Sequence, residues 1–148
     1  MSAATPDEQA LAVAARVREA MLRDDQATAH MGIAISEVGP GSATATMTVQ
    51  GWMLNGHATC HGGFIATLAD SAFAFACNAY NEISVASGFD ISFVAPARKG
   101  DVLSAVCIEQ SKTGRTGVYD VEVLNQAQQR VALFRGRSYT MKGKPLVG

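Results

Sequence analysis

One apolar stretch, residues 64–79, constrains the fold of this chain more than any other feature. It contains a single carboxylate and is too short to span a bilayer, which needs about 20 apolar residues. A helix that is apolar all round is a core element that other structure must cover. Five alanines keep it narrow, so that neighbouring backbone can approach closely: Ala66, Ala69, Ala72, Ala74 and Ala76. We therefore expect a central helix here, surrounded on all sides.

Most of the remaining chain alternates polar and apolar residues with a period of two, the pattern of half-buried strands. Gly39-Pro40-Gly41 predicts a hairpin turn between the first two strands, 31–38 and 43–49. Further strands are predicted over 83–94, 102–110, 118–124 and 131–141, with turns at 98–101, 111–117 and 125–129. Short connections indicate that consecutive strands are antiparallel neighbours.

The two ends of the chain differ in pattern. Residues 7–29 predict an amphipathic helix whose start Thr5 or Asp7 caps, and residues 142–148 predict a loose tail. A central helix is covered on all sides only when a sheet curls around it. At 148 residues the chain fits one domain, 1–148. The predicted class is α+β, with a curled antiparallel sheet of about six strands around one long helix and an N-terminal helix outside.

Such a sheet leaves edge strands open, and pairing with a second copy protects them, so we expect at least a homodimer. A net charge of −1 gives no general attraction for nucleic acid or anionic membrane. Three cysteines without a Cys-x-x-Cys pair argue against a disulfide framework, and the N-terminus lacks the order of a secretory signal. The expected compartment is the cytoplasm.

The carboxylate inside the apolar stretch is Asp70. An unpaired carboxylate among small and apolar neighbours costs several kcal/mol or takes up a proton. One interpretation is a structural aspartate held by backbone donors or by Thr67 and Ser71. The other is a nucleophile or general base tuned by its surroundings. The residues alone leave both open.

The segment before the helix, residues 55–63, brings His61, Gly62 and Gly63 to the helix N-terminus, where N–H groups lack partners. A carbonyl oxygen placed there would be polarised by an N–H and by the helix dipole. Asp70 lies about 12 Å further along the axis, at 1.5 Å per residue. If both act on one carbonyl, they must come from different subunits, which predicts an interfacial site.

Other interpretations of this segment are weaker. His57, Cys60 and His61 have metal-binding side chains, but no fourth ligand follows at a recognisable spacing, so no metal is expected. A Cys60–His61 dyad is disfavoured because sequence neighbours seldom present their side chains to each other. The glycines form no phosphate-binding Walker loop, since no Gly-Lys-Ser/Thr follows.

Three parts of the sequence resemble the hotdog-fold acyl-CoA thioesterases, and among these the phenylacetate-degradation group (PaaI type). They are Met53-Leu-Asn-Gly-His57-Ala-Thr-Cys-His-Gly-Gly63 continuing through Leu68-Ala-Asp70 to Asn78, then Thr116-Gly-Val-Tyr-Asp120 and Val131-Ala-Leu-Phe-Arg-Gly136. The resemblance implies a long helix wrapped by an antiparallel sheet, dimers that usually pair into tetramers, and hydrolysis of aryl-acetyl thioesters of coenzyme A. It implies no cofactor beyond the coenzyme A of the substrate.

The resemblance also implies roles for individual residues. Asp70 would be the nucleophile or general base, the Gly62 N–H would polarise the thioester carbonyl, and His61 would support the loop. Asn55 would hydrogen-bond the carbonyl or the attacking water. Further substrate-binding residues would be Gly63, Thr67, Phe73, Phe89 and Ser87, the last in place of a family serine near the start of the third strand. Phe64 and Phe93 are other candidates for an aryl pocket, although such residues are more often core.

The phosphates of coenzyme A need cations. The candidates lie on two turns and on the last strand: Arg98, Lys99, Lys112, Arg115, Arg135 and Arg137. Solvated turns and a charged strand face explain any single one of them equally well.

Two other functions stay open. A dehydratase acting on acyl thioesters would use His61 and an acid at the α and β carbons of its substrate. A non-catalytic acyl-CoA-binding module would resemble domains fused to DNA-binding segments, and the absence of a basic helix-turn-helix counts against it.

Overall fold

The computed structural model describes residues 6–148, so the suggested cap Thr5 lies outside the described residues. The described chain consists of three helices and six strands. They are α1 (Pro6–Asp24), α2 (Gln26–Met31), β1 (Ala34–Gly39), β2 (Ser42–Thr48), α3 (Gly62–Asn78), β3 (Ser84–Phe93), β4 (Val102–Thr113), β5 (Thr116–Leu124) and β6 (Arg130–Thr140), with a short 3₁₀ helix at Gly51–Met53.

The six strands form one antiparallel sheet in the order β1-β2-β4-β5-β6-β3. This confirms the α+β class and the hairpin of β1 and β2. The expectation that consecutive strands are neighbours is wrong for β3, which pairs with β6 while β4 pairs with β2. The connection between β3 and β4 forms no hairpin, because its backbone carbonyls accept hydrogen bonds from Cys60 and Val49 instead. Cys60 N–H donates to Ala97 O (2.7 Å) and Val49 N–H donates to Asp101 O (2.8 Å).

Helix α3 packs along the inner face of this sheet. Leu68, Ala69 and Ala72 are fully buried, and the Phe73 ring lies against Gly136 of β6. A Cβ at Gly136 would lie only 2.7 Å from that ring, so glycine permits the close approach of helix and sheet. The core therefore lies between α3 and the sheet, as the small residues of the helix indicate.

The expectation that α3 is covered on all sides is wrong for a single chain. Ala66, Asp70 and Ala74 follow one another at four-residue steps, and Thr67 lies three residues before Asp70, so these residues form one stripe along the helix. All four are only half-buried. We call these four residues the open stripe. It is open because the sheet covers one side of the helix and the N-terminal helices do not cover the rest.

The N-terminal segment forms two helices where one was predicted. Asp25 adopts an extended conformation (φ −85°, ψ 91°), and its carboxylate accepts a hydrogen bond from Thr28 N–H at 3.0 Å. An aspartate in this position caps a new helix, which ends the first one. Gly32 ends α2 with φ 69°.

Two further expectations were wrong in extent. The β4–β5 turn is confined to Gly114 and Arg115, because β4 goes on pairing with β5 as far as Thr113 after a bulge between Glu109 and Ser111. The tail is not loose. Asn81 binds it through its side chain, accepting from Leu146 and Val147 N–H (2.9 Å each) and donating to Val147 O (3.0 Å).

The two edges of the sheet differ. β1 is short and lies beside α1, whose Arg18 donates from Nε to Ile35 O at 2.9 Å. β3 has 10 residues, and Val85 (44% exposed) and Phe93 (51% exposed) present apolar surface on it. No backbone group of the described chain pairs with its outer side.

Candidate active site

The loop before α3 is organised by Asn55. Its side-chain oxygen accepts hydrogen bonds from His57 N–H (2.9 Å), Thr59 N–H (3.2 Å) and the Thr59 hydroxyl (3.2 Å). The backbone of Asn55 makes a further bond with Thr59, N–H to O at 2.8 Å. The side-chain NH₂ of Asn55 meets no acceptor within residues 6–148, so this group can donate to a ligand.

His61 is the N-cap of α3, with an extended backbone (φ −60°, ψ 133°). Its Nδ1 accepts from Gly63 N–H at 3.4 Å, and its own N–H donates to Met53 O at 2.8 Å. Phe64 N–H donates to His61 O at 3.0 Å. Gly62 N–H has no acceptor in the described part of the chain. It is thus the unpaired donor at the positive end of a 17-residue helix.

A cavity of about 480 Å³ opens between this helix start and the segment after β3. Asn55, Thr59 and Gly62 supply its polar side, and the rest of the lining is largely apolar, including Ile65, Phe93 and Pro96. A Cβ on Gly62 would lie 2.8 Å from the Phe93 ring, so a larger residue at position 62 would force that ring to move. Two of the predicted catalytic residues, Asn55 and Gly62, therefore line one cavity.

Asp70 lies on the open stripe, and neither candidate hydroxyl binds it. The Thr67 hydroxyl donates to Gly63 O (2.9 Å) and the Ser71 hydroxyl donates to Thr67 O (2.8 Å). Within the described chain no donor or cation meets the Asp70 carboxylate. Within the described chain, the interpretation of a structural aspartate held by backbone donors or by Thr67 and Ser71 is therefore wrong. Burial raises the pKa of Asp70 above its ordinary value.

Gly62 and Asp70 belong to one unbroken helix, eight residues apart. At 1.5 Å per residue they are separated by about 12 Å along the axis. A carbonyl bound at the Gly62 N–H is therefore out of reach of Asp70 in the same chain.

The other predicted substrate residues are dispersed. Gly63 and Thr67 lie at the start of α3, and both make the hydrogen bonds described above. Ser87 is exposed at a bulge in β3 and donates to Arg137 O at 3.2 Å. Phe89 stacks on Phe134 with ring centroids 4.7 Å apart, and Phe73 is fully buried beneath the sheet. In this chain Ser87, Phe89 and Phe73 do not line the cavity.

Sequence reasoning missed the wall that residues 93–97 contribute to the cavity. Phe93 was named only as one of several aromatic candidates, and residues 95–97 fell between a predicted strand and a predicted turn. The bond from Cys60 N–H to Ala97 O brings this segment to the helix start, and no side-chain pattern signals a backbone bond of that kind.

The candidate cations do not form one cluster. Arg98 and Lys99 lie next to the cavity wall and are exposed. Lys112 lies over the Tyr80 ring, 3.6 Å from its centroid. It is ten residues along β4 from Val102, which at about 3.3 Å per residue places it about 33 Å from that end of the strand. On the outer sheet face Arg135 makes a bidentate pair with Asp120 (2.6 and 2.8 Å), and Arg137 pairs with Asp90 (3.0 Å). Arg115 lies at the tip of the β4–β5 hairpin.

The cysteine and metal interpretations find no support. Burial raises the pKa of the Cys60 thiol to about 11, so it is not a thiolate near neutral pH. Residues 6–148 contain no group of three or more His, Cys, Asp or Glu side chains that could hold a metal ion. None of the described helices is long and apolar enough to span a membrane.

Comparison with known proteins agrees with this fold. The family model of the thioesterase superfamily matches residues 57–132, and the chain belongs to this family. Its fold is the hotdog fold, and the protein is a thioester hydrolase.

Among individual proteins, the chain is similar to acyl-coenzyme A thioesterase PaaI of Escherichia coli (strain K12). The two are 46% identical over 124 residues, which are 84% of this chain and 89% of that protein. The structure of E. coli PaaI, from the phenylacetic acid degradation operon, covers 90% of this chain and 96% of its own with a TM-score of 0.88 and 44% identity. A mutant structure of the phenylacetic acid degradation protein PaaI from Thermus thermophilus gives a TM-score of 0.76 at 33% identity, covering 79% of this chain and 100% of its own. The resemblance inferred from the sequence is thus confirmed.

Proposed function

We propose that this chain is an acyl-CoA thioesterase that hydrolyses phenylacetyl-CoA and ring-hydroxylated phenylacetyl-CoA in phenylacetate catabolism. The observation that carries the proposal is the half-buried Asp70 carboxylate, which has no partner in the described chain. The kinship with PaaI proteins supports the substrate class. The coenzyme A of the substrate is the only nucleotide required, and the proposed compartment is the cytoplasm.

The chemistry uses two sets of groups. Gly62 N–H and the Asn55 NH₂ donate to the thioester oxygen, which gains negative charge as the carbonyl carbon becomes tetrahedral. Asp70 then acts in one of two ways. Its carboxylate attacks the carbonyl carbon, expels the CoA thiolate and leaves a mixed anhydride that water hydrolyses. Alternatively it takes a proton from water, whose oxygen attacks the same carbon. Either way water and thioester yield the free acid and CoA thiol.

Because Asp70 lies about 12 Å from the Gly62 N–H along one helix, the proposed site is shared between two subunits. The open edge of β3 supplies a surface for pairing with a second copy, and the open stripe of α3 lies uncovered in the single chain. In the proposed homodimer the partner subunit's Asp70 faces the Gly62 N–H of this chain. The end of the cavity nearest Arg98 and Lys99 would take the CoA phosphates, and Lys112, Arg115 and Arg137 remain further candidates.

We also propose that dimers associate into a homotetramer through the outer face of the sheet. A groove of about 760 Å³ crosses this face, with apolar residues such as Val106, Ile108 and Leu133. The acidic residues that line it each pair with an arginine of the same chain: Asp120 with Arg135, Glu122 with Arg130, and Asp90 with Arg137. A face of this kind is self-complementary and can pack against the same face of a second dimer. Sedimentation at micromolar concentration would show four chains, and a monomer would contradict both association steps.

The dehydratase is less well supported. That reaction needs a histidine and an acid at adjacent carbons of one substrate, whereas the proteins to which this chain is similar are thioesterases. The direct test uses phenylacetyl-CoA with a thiol reagent. The protein should release thiol, and Asp70→Ala should reduce the rate by about 10²-fold or more. Glu19→Ala, at an exposed acid on α1, is the matched control and should keep the rate.

Release that Asp70→Ala leaves unchanged would overturn the proposed mechanism. Binding of phenylacetyl-CoA without any release would indicate an acyl-CoA-binding module instead.

A further inference from the structure

Phe93 has an unusual position at the end of β3. Its ring is 51% exposed, yet it lies so close to Gly62 that a Cβ there would be 2.8, 3.1 and 3.3 Å from three ring carbons. The ring thus touches the residue whose N–H is unpaired and leaves much of its surface open. Its open surface forms part of the wall of the 480 Å³ cavity.

The rest of that cavity suits an apolar group joined to a carbonyl. Asn55 and Gly62 supply donors at one side, and Ile65, Val94 and Pro96 add apolar lining. A thioester whose oxygen is bound at Gly62 has its carbonyl carbon close to the ring that touches Gly62, so an acyl chain that follows this wall of the cavity passes Phe93. In a phenylacetyl group one methylene separates the carbonyl carbon from the arene, so the arene falls beside Phe93.

We propose that Phe93 determines the preference of this enzyme for aromatic over aliphatic acyl groups. The inference rests on the proposed thioesterase function and adds a specificity-determining residue to it. An arene stacks on an aromatic ring in an offset or edge-to-face arrangement, and such pairs gain more than their buried area alone provides. An aliphatic chain of similar size gains the area only.

The other aromatic residues near the site are engaged elsewhere. Phe89 stacks on Phe134 at 4.7 Å, and Phe64 packs edge-on against Trp52 at 5.2 Å. Phe73 is buried in the core against Tyr119. Phe93 differs from these three because no ring of the described chain stacks on it.

The test compares kcat/KM for phenylacetyl-CoA and hexanoyl-CoA in the full-length protein. Phe93→Leu keeps apolar bulk and removes the ring, and the ratio of the two values should fall roughly threefold to tenfold. Phe93→Tyr keeps the ring and should keep the ratio. Phe93→Met serves as a second ring-free variant if Phe93→Leu folds poorly. Tyr139→Leu, at an exposed aromatic on β6 outside the cavity, is the control for loss of a surface ring.

The outcomes separate the inference from the proposed function. A ratio that stays at the wild-type value in both ring-free variants overturns the inference while leaving the thioesterase intact. A ratio that falls in Phe89→Leu and not in Phe93→Leu assigns the preference to Phe89 and also overturns it. A wild-type protein that hydrolyses neither thioester overturns the proposed function and this inference together.

Discussion

The start of α3 and its middle differ in the hydrogen-bonding groups that they leave without a partner in the described chain. At the start, Asn55 and His61 organise the backbone through side-chain hydrogen bonds, and an uncharged N–H donor is left over at Gly62. In the middle, Asp70 carries a charge on the open stripe and has no partner in the described chain. One region has donors without a base, and the other has a base without donors. Each region lacks what the other supplies, and a second subunit would bring the two together.

The two edges of the sheet repeat this contrast on a larger scale. The β1 edge is closed by Arg18 of α1, whereas the longer β3 edge is open and carries exposed apolar residues. An open, apolar edge of this length is a template for pairing with another chain, and native proteins usually blunt or cover such an edge. The open edge lies on the side that the proposed dimer would bury.

The largest effect should come from Asp70→Asn, which keeps the shape and removes the base. We expect kcat/KM for phenylacetyl-CoA to fall by about 10²–10⁴-fold. The melting temperature should stay the same or rise, since the variant removes a half-buried carboxylate without a partner. Calorimetry and thiol release on the same preparations measure both. A structural aspartate would instead show a lower melting temperature with activity largely retained.

The second-largest effect should come from removing the Gly62 N–H. Gly62 is the first residue of α3 and follows an extended residue, which is where a helix tolerates proline. Gly62→Pro removes the N–H, and we expect a loss of about 10²–10³-fold in kcat. Gly62→Ala is the matched control, because it introduces the same Cβ against Phe93 and keeps the N–H.

If both variants lose activity equally, the Phe93 contact is responsible and the N–H is not a catalytic donor. Only the difference between proline and alanine measures the N–H.

A smaller effect is expected in the pH profile. Burial raises the pKa of Asp70, and the carboxylate must be ionised to act, so kcat/KM should fall with decreasing pH at a value above the ordinary aspartate pKa. The contribution of Asp70 to folding stability changes with pH in the opposite direction to its contribution to kcat/KM. A raised folded pKa means that stability is lost as pH rises through that value, so the stability gain of Asp70→Asn should grow with pH. An acid limb at or below the ordinary value would show that Asp70 is not the group that titrates.

Some parts of the fold could be predicted from the sequence, and others could not. The apolar run before Ala79 and the period-two segments predicted the helix, the strands and the class, because these patterns follow directly from burial. The placement of β3 beside β6 did not follow, since backbone bonds from Cys60 and Val49 hold its connection. The break at Asp25 was missed because a capping aspartate looks like any surface acid until its geometry is known.

The candidate site, too, could be predicted only in part from the sequence. Gly62 and Asp70 were predicted from glycines at a helix start and from a carboxylate in an apolar setting, whereas a role for Asn55 came only from the resemblance to hotdog-fold thioesterases. The wall of residues 93–97 was not predicted, and the scattered cations show why charge alone does not locate a phosphate site. The cavity wall and the positions of the cations both depend on which distant segments of the chain pair, and a single sequence carries little information about that pairing.

Mixing two inactive variants tests most directly whether Gly62 of one chain and Asp70 of another form one site. Asp70→Ala and Gly62→Pro chains would be denatured together, refolded at equal amounts and assayed with phenylacetyl-CoA. Half of randomly formed dimers are mixed, and each mixed dimer has one intact site of two, so about one quarter of wild-type activity should return. Sites contained within single chains would give no recovery, and that result would contradict a site shared between two subunits.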